Sequence, residues 1–217
     1  MSAVIDMSQG RRDRKRRELH ERVARSALDL FMKNGFEETT IDEIANTADI
    51  SRRSFFHYFT TKEDVVCFWK DEFFETMLEA AQGFGDVHPM ELMEYVLMAV
   101  ARRHEGARII AIDKLIRATP SLTARRLVDY DALERSLVRA MAMKWPEREQ
   151  PALRLIAVVG VGLLKTAVET WSADGYRKAF AEYLTDGFLL LRRELAEPNI
   201  LMSATTEADQ LRGRRQI

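Results

Sequence analysis

Apolar residues recur along most of this chain at intervals of three and four, the period of a helix with one buried face. Leu19, Val23, Ala27, Leu30 and Phe31 define such a face over residues 13–34. Gly35 then offers the left-handed conformation in which helices commonly stop, and Phe36 is placed to fold back onto that face. A shorter stripe, Ile41, Ile44, Ala45 and Ala48, starts directly after Thr40. Thr40 with Glu43 three positions on has the form of a capping box. Asp49 and Ile50 fill a tight turn, and Ser51 is a good N-cap for a second short helix over 52–58. In that helix Phe55 and Phe59 share one face and predict core packing. Thr61 caps a helix over 62–81, with Asp64 at a position favoured by the positive end of the helix dipole; Gly83 and Gly85 end it.

Five further helical stretches follow, over 89–104, 106–118, 121–144, 151–172 and 176–195. Pro120 separates two of them, with Ser121 as the cap of the later one, and Pro151 suits a first helical turn. Asp174-Gly175 breaks the chain, and Pro198 ends the last helix. No stretch alternates like a strand, and no internal repeat or low-complexity segment stands out. The expectation is an all-α fold of about nine helices. It divides into a flexible basic arm over 1–17, a helix-turn-helix unit over 18–62, a C-terminal helical domain over 63–200 and a flexible tail over 201–217.

Composition narrows the class. Hydrophobic residues at 47% and charged residues at 31% describe an ordinary globular chain, and only 10 Gly and 5 Pro favour helix over an all-β fold. The single cysteine, Cys67, excludes an intrachain disulfide framework and a Cys-rich zinc site, and reads as a buried inert thiol. No apolar leader precedes a cleavage site, and the apolar run 155–164 is too short to span a bilayer. A cytoplasmic protein without a membrane partner is expected. The net charge of −1 hides an asymmetry: residues 1–62 carry 12 Lys+Arg against 10 Asp+Glu. Arg11, Arg12, Arg14, Lys15, Arg16 and Arg17 crowd together just before the helix-turn-helix unit, a local attraction for phosphates.

Catalytic chemistry finds little support. His20, His57, His88 and His104 lack metal-ligand spacing, and no Ser/His/Asp set or phosphate loop appears. Gly160-Val-Gly162 follows no strand and is a poor dinucleotide signal. No enzyme activity, cofactor or metal is expected. The two short helices are different. Arg52 and Arg53 stand in the first turn of the second, where a recognition helix meets base edges in the major groove. Arginine is suited to pair bidentately with guanine. Phe56 and His57 point away from the Phe55/Phe59 face. Tyr58, Lys62 and Thr40 are candidates for phosphate contacts.

Residues about 19–66 resemble the DNA-binding domain of the TetR/AcrR family of bacterial repressors. The matching text is Ala27-Leu-Asp-Leu-Phe31, Asn34-Gly-Phe36, Thr39-Thr-Ile-Asp-Glu-Ile-Ala45, Ile50-Ser-Arg-Arg-Ser-Phe-Phe-His-Tyr-Phe59 and Thr61-Lys-Glu-Asp64. The resemblance implies an all-helical homodimer that binds a palindromic double-stranded operator and is released by a small, largely apolar effector. Position by position, it implies DNA contacts from Thr40, Arg52, Arg53, Ser54, Phe56, His57, Tyr58 and Lys62. Phe56 stands where a tyrosine is common, which removes one phosphate hydrogen bond. The last two helices would form a four-helix bundle with their mates. Their stripes, Ala157, Gly160, Val161, Leu164 and Val168 on one and Phe180, Leu184, Phe188, Leu191 and Leu195 on the other, suit that role or packing within one subunit.

Methionine and aromatic residues are frequent in the middle helices, and methionine is adaptable pocket lining. Trp69, Phe73, Met98, Arg102, Tyr130 and Trp171 are the candidates for an effector pocket, with Asp113, Lys114 and Glu169 as further polar groups. The competing reading keeps DNA binding but leaves the C-terminal domain only to dimerise or to dock a controlling partner.

Overall fold

The computed structural model describes residues 2–66, 70–103 and 105–196. Among them the chain forms ten helices and no strand. In order they are α1 (Ser2–Asn34), α2 (Ile41–Thr47), α3 (Arg52–Tyr58), α4 (Lys62–Val66), α5 (Lys70–Gly83), α6 (Pro89–Arg103), α7 (Ala107–Ala118), α8 (Pro120–Lys144), α9 (Gln150–Ala173) and α10 (Phe180–Ala196). The expected all-α architecture is the observed one.

Several boundaries differ from the expectation, each for a local reason. α1 begins at Ser2, so the segment expected as a flexible arm continues the helix; no proline interrupts residues 1–34, and Lys and Arg are good helix formers. Of the helix expected over 62–81, α4 and α5 are the described parts on either side of residues 67–69; Cys67 and Trp69 lie outside the described residues. α8 starts at Pro120, which occupies its first turn, so Ser121 is not the cap. α10 starts at Phe180 because Tyr176, with φ 61°, and the residues after it form the turn. The expected tail over 201–217 also lies outside the described residues.

Two turns explain the sharp changes of direction. After α2, Ile50 N–H donates to the carbonyl of Ala45 at 2.9 Å and Asp49 N–H to that of Asn46 at 3.1 Å. This is the Schellman arrangement, with Asp49 at φ 54° where glycine is usual. After α9 the same pattern recurs: Tyr176 N–H reaches the Trp171 carbonyl at 2.9 Å and Gly175 N–H that of Ser172 at 3.0 Å.

Two hydrophobic cores result. The larger one joins α5, α6, α8, α9 and α10, with Met77, Leu92, Met93, Leu97, Leu137, Met141, Leu153 and Leu184 fully buried. α6 and α9 approach closely at Gly160, where a Cβ would stand 2.6 Å from the Met93 Cγ. α9 is long and apolar enough to cross a membrane by length and composition. Its buried stripe, Leu153, Ala157, Gly160, Val161, Leu164 and Val168, nevertheless packs into this bundle. The smaller core gathers Val23, Ala27, Phe31, Phe36, Ile44, Ala45, Phe55, Phe59 and Val65 from α1 to α4. It is completed by Ile112, Leu115 and Ile116 of α7 and Leu122 of α8. The helix-turn-helix unit therefore shares its core with residues beyond position 62.

Ile116→Ala should destabilise the protein by about 2–5 kcal/mol, the usual range for truncating a fully buried aliphatic side chain. Urea unfolding followed by circular dichroism measures it, and a loss below about 1 kcal/mol would mean that α7 does not belong to this core.

Candidate nucleic-acid interface

α2, the turn at Asp49 and α3 form the helix-turn-helix. Its inner side is fixed by Ile44, Ala45, Ala48, Phe55 and Phe59, all buried. The start of α2 is held by the expected capping box. Thr40 N–H donates to the Glu43 carboxylate at 2.8 Å, and Glu43 N–H donates back to Thr40 Oγ1 at 3.2 Å. The backbone N–H and hydroxyl of Thr40 hold the Glu43 carboxyl below its ordinary value. Ser51 caps α3, accepting from Ser54 N–H at 3.0 Å, and the two hydroxyls lie 2.8 Å apart.

This framework turns Thr40, Arg52, Arg53, Phe56 and His57 outward, all exposed. Arg52 Nη1 donates to Asp42 on α2 at 2.6 Å, and its guanidinium lies 5.5 Å from the centre of the Phe56 ring. Phe56 is 46% exposed, unusual for a large apolar ring, and its edge meets Phe55 beneath it. Ser54 is half-buried with its hydroxyl turned to Ser51, and Tyr58 is half-buried between the edges of His20 and His57. Six of the eight expected contact residues thus lie on α3, and five of the eight face solvent.

Lys62 departs from the expectation. Its ammonium donates to the carbonyls of Phe36 at 2.6 Å, Glu37 at 3.1 Å and Thr39 at 3.3 Å, and sits 4.4 Å from the centre of the Phe36 ring. It closes the loop between α1 and α2, because those carbonyls follow a helix end and lack helical donors. Its charge is spent inward.

Asp64 does more than stabilise a helix start. One carboxylate oxygen accepts from Thr60 N–H at 2.9 Å and Thr61 N–H at 3.0 Å, just after α3. The other pairs with Arg125 of α8 at 2.7 Å. The capping role was visible in Thr61-Lys-Glu-Asp64; the pairing with Arg125, 61 positions away, left no local signal. Arg126 turns the other way, to Asp113 on α7 at 2.7 Å. Asp113 is 5% exposed and also accepts from Arg117 at 2.7 Å and the Tyr176 hydroxyl at 3.0 Å. Burial and the Asp113 carboxylate hold the Tyr176 phenol above its ordinary value.

The candidate pocket residues are not gathered into one described site. Trp69 lies outside the described residues. Phe73 belongs to α5. Met98 is half-buried, with Thr185 of α10 3.7 Å from its sulfur, whereas Arg102 is exposed at the end of α6. Tyr130 is half-buried beneath the Lys165 ammonium, its phenol raised by burial. Trp171 is buried, donating to the Lys178 carbonyl at 3.1 Å, and serves as core.

Residues 24–66 match the model of the bacterial regulatory proteins of the tetR family. The HTH-type transcriptional regulator TcmR of Streptomyces glaucescens is 32% identical over 146 residues, 62% of this chain and 64% of its own. The match thus spans just under two thirds of that relative's length. Among solved structures, Thermus thermophilus FadR, a TetR-family transcriptional repressor in complex with lauroyl-CoA, superposes with a TM-score of 0.51 at 26% identity, covering 83% of this chain and 96% of that one. FadR of Bacillus subtilis in complex with stearoyl-CoA shares the fold, with a TM-score of 0.53 at 17% identity over 79% of this chain and 96% of its own.

Two outcomes follow from the geometry. Lys62→Met should cost about 1.5–3 kcal/mol in urea unfolding, the range for hydrogen bonds to a charged group, and should leave the salt dependence of DNA binding at its wild-type slope. The Glu43 carboxyl is depressed in the fold, so its capping contribution is complete above the ordinary value of 4.5 and is lost as pH falls below it. Acid titration followed by circular dichroism should therefore show Glu43→Gln losing less stability between neutral pH and pH ~3 than the wild type.

Proposed function

We propose that this chain, whose residues 24–66 match the tetR family model, is a regulator of the TetR/AcrR type: a sequence-specific, DNA-binding protein acting as a homodimeric repressor. The observation that carries the reading is the outward display of Arg52, Arg53, Phe56 and His57 from a short helix anchored by Phe55 and Phe59. Side chains on so short and well-held a helix can enter a major groove without reordering the backbone, so arginine contacts to guanine lose little entropy. Thr40 and the free N–H groups at the start of α2 are suited to a phosphate, and Tyr58 lies at the edge of the same face.

A palindromic operator calls for two reading heads about 34–36 Å apart or a multiple of that spacing. The second copy has a place to dock. α9 and α10 bury one apolar stripe each and leave another uncovered: Leu155 is 66% exposed and Val158 43% on α9, Leu189 56% and Leu190 48% on α10. Such residues on adjacent helices form the kind of apolar patch that marks an interface between chains, and a symmetric partner presents the same patch in return.

The effector we propose is a small, largely apolar molecule bound by the larger helical bundle. The lauroyl-CoA complex of the Thermus thermophilus relative makes an acyl-CoA the first class to test. Movement of α7 or α8 would reach the reading head through the shared core and the Asp64–Arg125 pair.

Selection of genomic fragments by the purified protein should return a palindrome, and lauroyl-CoA should raise Tm and weaken operator binding. Recovery of an operator without any effect of acyl-CoA chains would turn the reading towards another effector or partner control. Leu155→Glu with Leu189→Glu should leave a folded monomer by analytical ultracentrifugation and lower operator affinity at least about 100-fold. A double variant that stays dimeric would place the interface elsewhere.

A further inference from the structure

The two arginines at the start of α3 differ in one respect. Arg52 is paired with Asp42 at 2.6 Å, while Arg53 makes no ion pair among the described residues. Resting on the DNA-binding reading above, we infer that Asp42 is a specificity-determining residue that positions Arg52 and cancels its charge on non-cognate DNA.

The geometry supplies the reason. Asp42 engages Nη1 of the guanidinium, and the Phe56 ring lies 5.5 Å from its centre. Two neighbours, one charged and one aromatic, restrict the orientation of a long side chain that would otherwise sample many rotamers. Among the described residues the Nε/Nη2 edge of Arg52 has no partner, and that edge carries a parallel N–H pair that can match guanine O6 and N7. Asp42 also stands in the first turn of α2, two residues after the Thr40 cap. Both partners are more than half exposed, so the pair contributes little to folding. Its effect lies in what the surface offers to a phosphate backbone.

An isolated arginine attracts any phosphate and adds to affinity on every sequence. An arginine neutralised by an adjacent carboxylate adds almost no net charge, and the carboxylate itself is repelled by phosphates. Arg52 then contributes only where a base edge can accept its free N–H pair. Arg53 supplies general attraction, and Arg52 supplies discrimination.

The test uses the full-length protein, the operator duplex recovered by selection and a mixed-sequence duplex of equal length, with Kd measured across a salt series. Asp42→Asn should tighten binding to the mixed duplex and lower the ratio of the two affinities ~5-fold or more, the scale of one base contact. The slope of log K against log salt on the mixed duplex should steepen by about 0.9 for each protomer, one phosphate's worth of released counterions. Asp42→Glu, which keeps the charge, should retain the wild-type slope. Arg52→Ala combined with Asp42→Asn, which removes both charges of the pair, should lower operator affinity but leave the slope on mixed DNA unchanged, whereas Arg53→Ala should flatten it. Thermal melts accompany each variant; Asp42→Ser, which keeps a side-chain oxygen in the first turn, replaces the asparagine variant if that melts early. A ratio and slope at wild-type values in Asp42→Asn, or equal weakening on both duplexes, would overturn the inference. If the wild-type protein selects no sequence at all, the DNA-binding reading falls first.

Discussion

The carboxylate of Asp64 is shared between two jobs, and much of the molecule's coherence depends on it. One oxygen holds the backbone at Thr60 and Thr61, where the chain leaves α3. The other holds Arg125 on α8. The pair is partly buried, with Asp64 at 18% and Arg125 at 29% side-chain exposure, so it is screened less than a surface pair. A displacement of α8 therefore pulls on the residues that end α3. The apolar contacts of Ile112, Leu115, Ile116 and Leu122 run beside it and carry the same connection without charge.

Asp113 extends this connection to the far side of the bundle. A carboxylate so deeply placed would be costly unless its lone pairs were filled. Arg117, Arg126 and Tyr176 fill them, and Arg117 also donates to the Val168 carbonyl of α9. The consequence is geometric: α7, α8 and the turn after α9 meet at one group. Breaking one of these bonds leaves charge behind in an apolar setting, so the elements are constrained to move together.

What could be read in the sequence was local. The Thr40/Glu43 box, the stop at Gly35, the break at Asp174-Gly175 and the Phe55/Phe59 face all depend on residues within one or two turns, and the structure contains each. The surroundings of Lys62 are not legible in the sequence, because a lysine at a helix start has two uses and only the folded loop at Phe36 brings three carbonyls to it. The pairings of Asp42 and Arg125 are hidden in the sequence for the same reason: they are set by how helices cross. The start of the last helix was placed too early because Tyr176 adopts a positive φ, which nothing in its side chain predicts. Pocket residues were the least legible, since a buried methionine and a ligand-lining one occupy the same helical positions before packing is known.

The dimer proposed to form through the uncovered stripe on α9 and α10 would have a consequence at the level of the cell. A reading head that grips its site only in pairs responds to its own abundance as a square wherever the monomer predominates. Halving the number of chains then lowers operator occupancy about fourfold, not twofold, at low occupancy. Regulation by such a protein would be sensitive to gene dosage and to its rate of synthesis, and a few apolar side chains such as Leu155 and Leu189 would set how sharp that response is.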